Sequence, residues 1–534
     1  SAHRSKSSCG VNNRNRQINM TKEKKEIRIP LEEEIWGFRL YDQEDRQIVF
    51  LEFLFAIFNA PVSSDTCNLR MPQFSGSSHL VLRALIFSNP EINFCSDWDD
   101  WIPKFSKNMG ETFFQLTNWN PEYLKDFFNS FNEFKQVLII IRQSLDKKDV
   151  DRKWNYRFLF PWSKDQIFPD VEFNSKNTDT STLACKRHYF VHTGEIAYLL
   201  CLLSKNRNKL LEKLKEKFKS SDNPLARLCE ILEKGYSDSP QVPLSINSAF
   251  LPKQSHSDRK VLTRAEWLAE DILGILNLNL KSEDTAEFLS RIIGLHLICY
   301  YLERAKFVAL DPRLKGDGRF FMLCEIPEPE STPVRKQARL NFQQNQKLGF
   351  QVLLEIFNKK ISEIENAPDT ERARLFSTVF NTTAELEEED REELEEDPNS
   401  FKNRVKDSLE KKFIKHLGNF HQRMAIDIGL ASREFTVAYR YILSDELLLT
   451  LVYAVVKENF VPMKGFLKEL RTKFGIVIDE ASAMEYAGDI EIETNDLVMN
   501  YKRLLGQLNG LGLLYHLSDG CDYVQNPYIV AQPI

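Results

Sequence analysis

Between residues 444 and 528 the chain spells out three helices and a hairpin in a fixed order, and few folds accept that order. Ser444 stands where an N-cap belongs, ahead of an apolar helix to about Lys457. Pro462 opens a second helix, 463–473, which Gly475 stops. An extended Ile476-Val477-Ile478 follows, then a polar insertion, then a third helix capped by Thr494 and running to about Leu508. Segments 513–517 and 521–524 flank Ser518-Asp519-Gly520 and read as two short strands, because Asp-Gly tolerates the positive φ of a tight hairpin. Three helices and a terminal hairpin predict a winged helix at about 444–528.

The rest of the pattern is helical, so the expected fold class is mainly α and multidomain, a helical body with a C-terminal winged-helix domain. At 534 residues the chain has room for three or four domains. Residues 1–20 hold almost nothing apolar and read as a disordered leader. Residues 21–176 form an aromatic-rich, mixed stretch with six of the seven tryptophans, whose rings are expected to fill a core. In it, 46–60 predicts a helix apolar on almost every face, 121–144 predicts a second, and 96–105 reads as irregular. Residues 177–324 predict a helical domain. Thr193 caps one helix, Thr263-Arg264-Ala265-Glu266 matches a capping box at the start of another, and Ser282 opens a third. Residues 325–400 read as a connector: Pro327, Pro329 and Pro333 break structure, and an amphipathic helix resumes at 348–364. The final stretch, 401–534, carries the winged helix.

Net charge is -6, but it is uneven. Segment 385–397 holds ten acidic residues and one arginine, so the remainder of the chain is slightly basic. A protein that wraps nucleic acid with its whole surface should be clearly basic, so any such contact has to be local. The nine cysteines are scattered and form no C-x-x-C pair, which argues against a disulfide framework and for a reducing cytoplasm. The longest apolar runs, 48–58 (broken only by Glu52) and 447–456, fall short of the roughly 20 residues a membrane span needs, so no membrane partner is expected.

Several clusters could carry chemistry. Cys185, His188, His192 and Glu195 are the candidate metal ligands, set against the ordinary structural use of such residues. Asp170 and Glu172 resemble nuclease carboxylates, yet the following lysine, Lys176, comes too late for a D/E-x-K arrangement. Ile476 to Asp479 and Glu480 imitate an NTPase strand, but no G-x-x-x-x-G-K-[ST] loop exists to cradle phosphates. No catalytic residue and no cofactor is therefore assigned. The best local candidate for phosphate contact is the basic helix 205–219, with Lys205, Lys209, Lys213 and Lys217. On the winged helix, Asn500, Lys502, Arg503 and Gln507 are expected on the outer face of the third helix, and Asp519 and Asp522 on the wing. That near-neutral surface with an acidic tip suits a protein partner better than a phosphate backbone.

The C-terminal stretch also resembles a family. Lys473-Phe474-Gly475-Ile476-Val477-Ile478-Asp479, Leu508-Asn509-Gly510-Leu511-Gly512-Leu513-Leu514 and Leu517-Ser518-Asp519-Gly520-Cys521-Asp522-Tyr523-Val524 are similar to the tail of DptG-type proteins. These are accessory subunits of DNA phosphorothioation-dependent restriction, encoded beside ATPase and helicase partners. The similarity covers under a quarter of the chain and is interrupted by 480–493. It implies a non-catalytic adaptor or scaffold in a bacterial anti-phage defence complex, partnered by an ATPase, helicase or nuclease. The alternatives are a divergent metal-dependent nuclease and a winged-helix DNA-binding regulator.

Overall fold

A helix apolar on all faces must be enclosed by other elements. In the computed structural model of the chain this holds for α1 (Arg46–Asn59), which lies inside a mainly helical body. The structure describes residues 31–38, 45–59, 74–76, 80–87, 89–143, 171–172, 184–185, 192–218, 227–228, 231–232, 234, 242–244, 250–251, 259–309, 319–329, 332–368, 370–371, 396–412, 418–434, 438–486, 490, 492–517 and 521–529. The leader 1–20 and nearly all of the acidic run fall outside them. The body continues with α2 (Thr193–Leu203), α3 (Arg207–Lys217), α4 (Arg259–Leu276), α5 (Ser282–Val308) and α6 (Pro333–Glu365). Helix α5 is the axis: from Thr285 to Ala305 it is buried on nearly every side, against α1, α4 and α6.

The core crosses the boundaries expected at 176 and 324. Phe50 and Phe53 of α1, Leu199 of α2, Ile292 of α5, Phe342 of α6 and Leu451, Phe466 and Leu504 far downstream belong to one apolar cluster. A second cluster is built mostly from the aromatic stretch: Trp101, Phe105, Trp119, Phe131 and Phe134 pack together, joined by Leu232 from the next stretch. The segment expected to be irregular holds a helix, Trp98–Met109, because the Asp97 side chain accepts the Asp100 N–H and caps it. The single helix expected over 121–144 is broken at Phe128, extended at ψ 129°, and resumes as Phe131–Gln143.

Three local expectations are corrected by tertiary structure. Pro333 starts a 33-residue helix rather than breaking one, with Thr332 capping it from the preceding position. Proline at the first helical position loses no bond, since that N–H has no intrahelical partner. The first half of the "connector" is thus core. Thr263 lies one turn inside α4, its hydroxyl bonded to Arg259 O, and Glu266 accepts from Ser204 Oγ and Lys205 N instead of closing a capping box. The N-cap of α2 is His192 rather than Thr193, and no side chain of its own caps it.

The C-terminal unit follows the expected order closely. Helices α8 (Asp445–Val455), α9 (Met463–Phe474) and α10 (Thr494–Gly510) follow α7 (Gly418–Asp427). Besides an antiparallel pair, Ala431–Glu434 with Ala438–Tyr441, the strands that organise this part are β1 (Met322–Leu323), β2 (Phe460–Pro462), β3 (Ile476–Val477), β4 (Leu514–His516) and β5 (Asp522–Gln525). Strand β5 lies between β4 and β2, antiparallel to both. Strand β3 pairs in parallel with β1, which joins the unit to the body. Asn500 sits at that joint. Its Oδ1 accepts from Ile326 N at 2.8 Å, and its Nδ2 donates to Cys324 O and Ile478 O at 3.0 Å each. Asn500 is fully buried, so its expected place on an outer face is wrong. Replacing it with alanine strands one N–H and two carbonyls. Asn500→Ala is expected to lower unfolding free energy by about 2–3 kcal/mol. In denaturant melts the exposed neighbour Met499→Ala should move the midpoint little.

Candidate functional site

The seam between α4 and α9 holds a cavity of about 670 Å³ with a strongly positive wall. Helix α4 contributes Arg259, Lys260 and Arg264 from its first two turns. Helix α9 contributes Lys468, Arg471 and Lys473 from its last two, and Arg319 stands between them. Among the described residues of the lining, Glu303 and Glu485 are the carboxylates that oppose these seven cations. In a chain of net charge -6, such a concentration of cations at one wall requires specific placement. Trp267, Phe320 and Tyr486 supply apolar surface to the same wall. Gly475 closes α9 in the left-handed region at φ 68°, and a Cβ there would meet Phe320 O at 2.8 Å.

Behind this wall runs a polar chain, buried except at its Glu303 end, which is partly exposed. Glu303 takes Arg264 bidentately, Nε at 3.2 Å and Nη2 at 2.6 Å. Arg264 Nη1 lies 3.1 Å from His296 Nδ1, and His296 Nε2 lies 3.1 Å from Asp271 Oδ2. Lys473 Nζ donates to Asp271 Oδ1 at 2.7 Å. Arginine can only donate, so Nδ1 accepts and the imidazole proton is on Nε2, pointing at Asp271. Burial pushes His296 down to about 4, so it is neutral and the chain balances two cations with two carboxylates. Burial works to raise the Asp271 carboxyl, but the hydrogen bonds from His296 and Lys473 hold it below its ordinary range. Arg264 and Lys473 are thereby fixed in position at the cavity wall.

The residues picked from sequence are dispersed. Lys205, in the turn before α3, and Lys209 are exposed, but Lys213 Nζ donates to Asn277 Oδ1 at 2.7 Å and Lys217 Nζ to Leu280 O. Two of the four lysines thus hold the segment after α4 rather than facing outward. On α10, Lys502 is exposed, Arg503 pairs with Glu328, and Gln507 bonds Leu443 O and Asp445 Oδ1. Asp522 is paired with His516 at 2.6 Å, so the end of β5 is not a bare acidic edge. Asp170, Lys176, His188 and Asp519 lie outside the described residues, and Cys185 and Glu172 are placed only as residues of paired two-residue strands. Asp479, the would-be NTPase carboxylate, caps a short helix through Ser482 N.

His192 and Glu195 do come together, but with Glu52 of α1 as the third member. Glu52 Oε1 accepts from His192 N at 2.8 Å and Oε2 from Gly194 N at 2.7 Å, so α1 supplies the cap that α2 lacks. Gly194 is required there: a Cβ would stand 2.4 Å from Val49 O. His192 Nδ1 lies 2.8 Å from Glu195 Oε2. These three donors could accept a divalent cation, although capping alone already accounts for Glu52. Burial, and then the Glu195 charge, push the Glu52 carboxyl up to about 8.

These buried groups set an acid response. His296, and His421 pushed by burial down to about 3, stay neutral in the fold while the unfolded chain protonates them below pH 6.5. Each contributes stability that is present above pH 6.5 and lost as pH falls toward its folded value. Glu52 acts oppositely, its contribution being present below pH 4.5 and lost as pH rises toward 8. From pH 6.5 to 5 the two histidines outweigh Glu52, so the fold loses stability, by about 1 kcal/mol. Denaturant melts at the two pH values should read that loss, and Glu52→Gln should roughly double it.

No protein-family model, curated protein or solved structure matches the chain. Among the described residues no helix is long and apolar enough to cross a membrane.

Proposed function

We propose that this chain is a non-catalytic, nucleic-acid-engaging adaptor of a bacterial anti-phage defence complex, working in the cytoplasm. The observation that carries the proposal is the positive cavity between α4 and α9, where seven cations face two carboxylates. Concentrated positive charge around a ligand-sized cavity with aromatic surface favours a phosphate-bearing strand. The C-terminal unit is a winged helix in this proposal, supported by three helices, α8, α9 and α10, and a sheet in the order β4-β5-β2. Its exposed surface carries Met499, Tyr515 and Leu517 beside Lys502, a mixed surface suited to a protein partner that supplies ATPase, helicase or nuclease activity. Resemblance of the segments around 473–479 and 508–524 to DptG-type tails supports placing that partner in a restriction system.

The test is fluorescence anisotropy of labelled single-stranded DNA with the full chain over a salt series. Binding whose affinity falls as salt rises, and which Arg259→Glu/Lys260→Glu/Lys468→Glu removes, is the expected result. Absence of salt-dependent binding, or an unaffected triple variant, would overturn the assignment of the cavity.

A further inference from the structure

We infer that the cavity between α4 and α9 is a single-nucleotide pocket, taking one nucleoside phosphate, free or at the end of a strand, with its base on Trp267 and its phosphate on Arg264 and Lys473. The inference rests on the cavity being a phosphate site and specifies what is recognised there.

Donor arithmetic comes first. Arg264 has five N–H donors, and its bonds to Glu303 and His296 use three. Lys473 has three and places one on Asp271 at 2.7 Å, with Glu270 no nearer than 3.7 Å. Arg264 is 1% exposed and Lys473 4%, and both line the cavity. Buried donors without an acceptor are costly, and the oxygens of a phosphate in the cavity would take them. Because Glu303 and Asp271 already hold the two side chains, little conformational freedom is lost when a ligand arrives.

Shape and stacking then narrow the ligand. A volume of about 670 Å³ matches one small-molecule ligand rather than a groove that tracks many nucleotides. Trp267 is the only tryptophan of the chain beyond residue 162, and it lines this cavity half-buried. The Arg264 guanidinium carbon lies 5.1 Å from its ring centre, a cation–π contact that fixes the indole beside the donors. An acidic peptide would satisfy the cations but brings a flat ring to the indole only where its sequence happens to hold an aromatic residue. A nucleoside phosphate satisfies both.

The experiment is calorimetric titration of the full chain with three probes: dAMP, a linear 5′-phosphorylated single-stranded 12-mer, and a circular single strand of the same length. Binding of dAMP identifies a free nucleotide as a sufficient ligand. Binding of the linear strand in preference to the circle, without dAMP, identifies a strand end. In either case Trp267→Ala should weaken binding about tenfold or more, while Trp267→Phe retains most of it and both variants keep the wild-type melting profile. Equal binding of linear and circular strands with none of dAMP, or an unaffected Trp267→Ala, would overturn the pocket while leaving a salt-dependent phosphate site standing. Failure of all three probes would remove the phosphate site itself.

Discussion

Asp271→Ala is expected to cost about 3–5 kcal/mol of unfolding free energy, the largest stability loss of any single change at the site. Asp271 is fully buried and accepts from both His296 and Lys473. Without it, Lys473 loses its 2.7 Å acceptor in a wall where it is 4% exposed, with Glu270 at 3.7 Å as the nearest carboxylate among the described residues. The His296 Nε2 proton loses its acceptor at the same time. Adding Lys473→Met removes the stranded ammonium, so the double variant should be more stable than Asp271→Ala alone. Denaturant unfolding of the wild type, both singles and the double closes the cycle. A coupling near zero would mean that water, rather than Asp271, solvates Lys473.

That buried chain was hidden from sequence for a physical reason. Arg264, Asp271, His296, Glu303 and Lys473 show no motif spacing, and a charged residue inside a helical pattern reads as a solvated one. Arg264 was assigned to a capping box, because a Thr-x-x-Glu pattern signals a helix start whether or not the helix already began at Arg259. The cavity draws on α4, the end of α5, Arg319 and α9, segments that only tertiary packing brings together. By contrast, the C-terminal elements follow local rules: Ser444 Oγ accepts from Leu447 N, Gly475 is left-handed, and β4 and β5, which flank Asp519-Gly520 in the sequence, pair antiparallel. Strand β2 escaped because three residues between two helices give no alternation to detect. Glu52 was visible as the single interruption of an apolar run, yet its role as a cap depended on Gly194, 142 residues away. Likewise Asn500 looked like an outward polar residue, since nothing in a helix pattern reveals three backbone groups waiting to be satisfied.

Reversing the rim of the cavity with Arg259→Glu, Lys260→Glu and Lys468→Glu is expected to weaken single-stranded DNA binding about a hundredfold at low salt. All three side chains are exposed, so each acts through screened attraction worth up to about 1 kcal/mol. Changing its sign turns attraction into repulsion, and a total near 3 kcal/mol corresponds to about a hundredfold. The dependence of affinity on salt should flatten together with the affinity, because fewer counterions are displaced. The fold should tolerate the change: glutamates in the first turn of α4 face the positive end of the helix dipole, where arginine and lysine are unfavourable. Arg264, Lys473 and their buried partners are untouched, so the melting temperature should stay or rise slightly. Lys205→Glu/Lys209→Glu is the control, two exposed lysines in the turn before α3 and on its first turn. If that pair abolishes binding and the cavity rim does not, phosphate is held by α3, as its lysine content alone suggests, and the cavity serves something else.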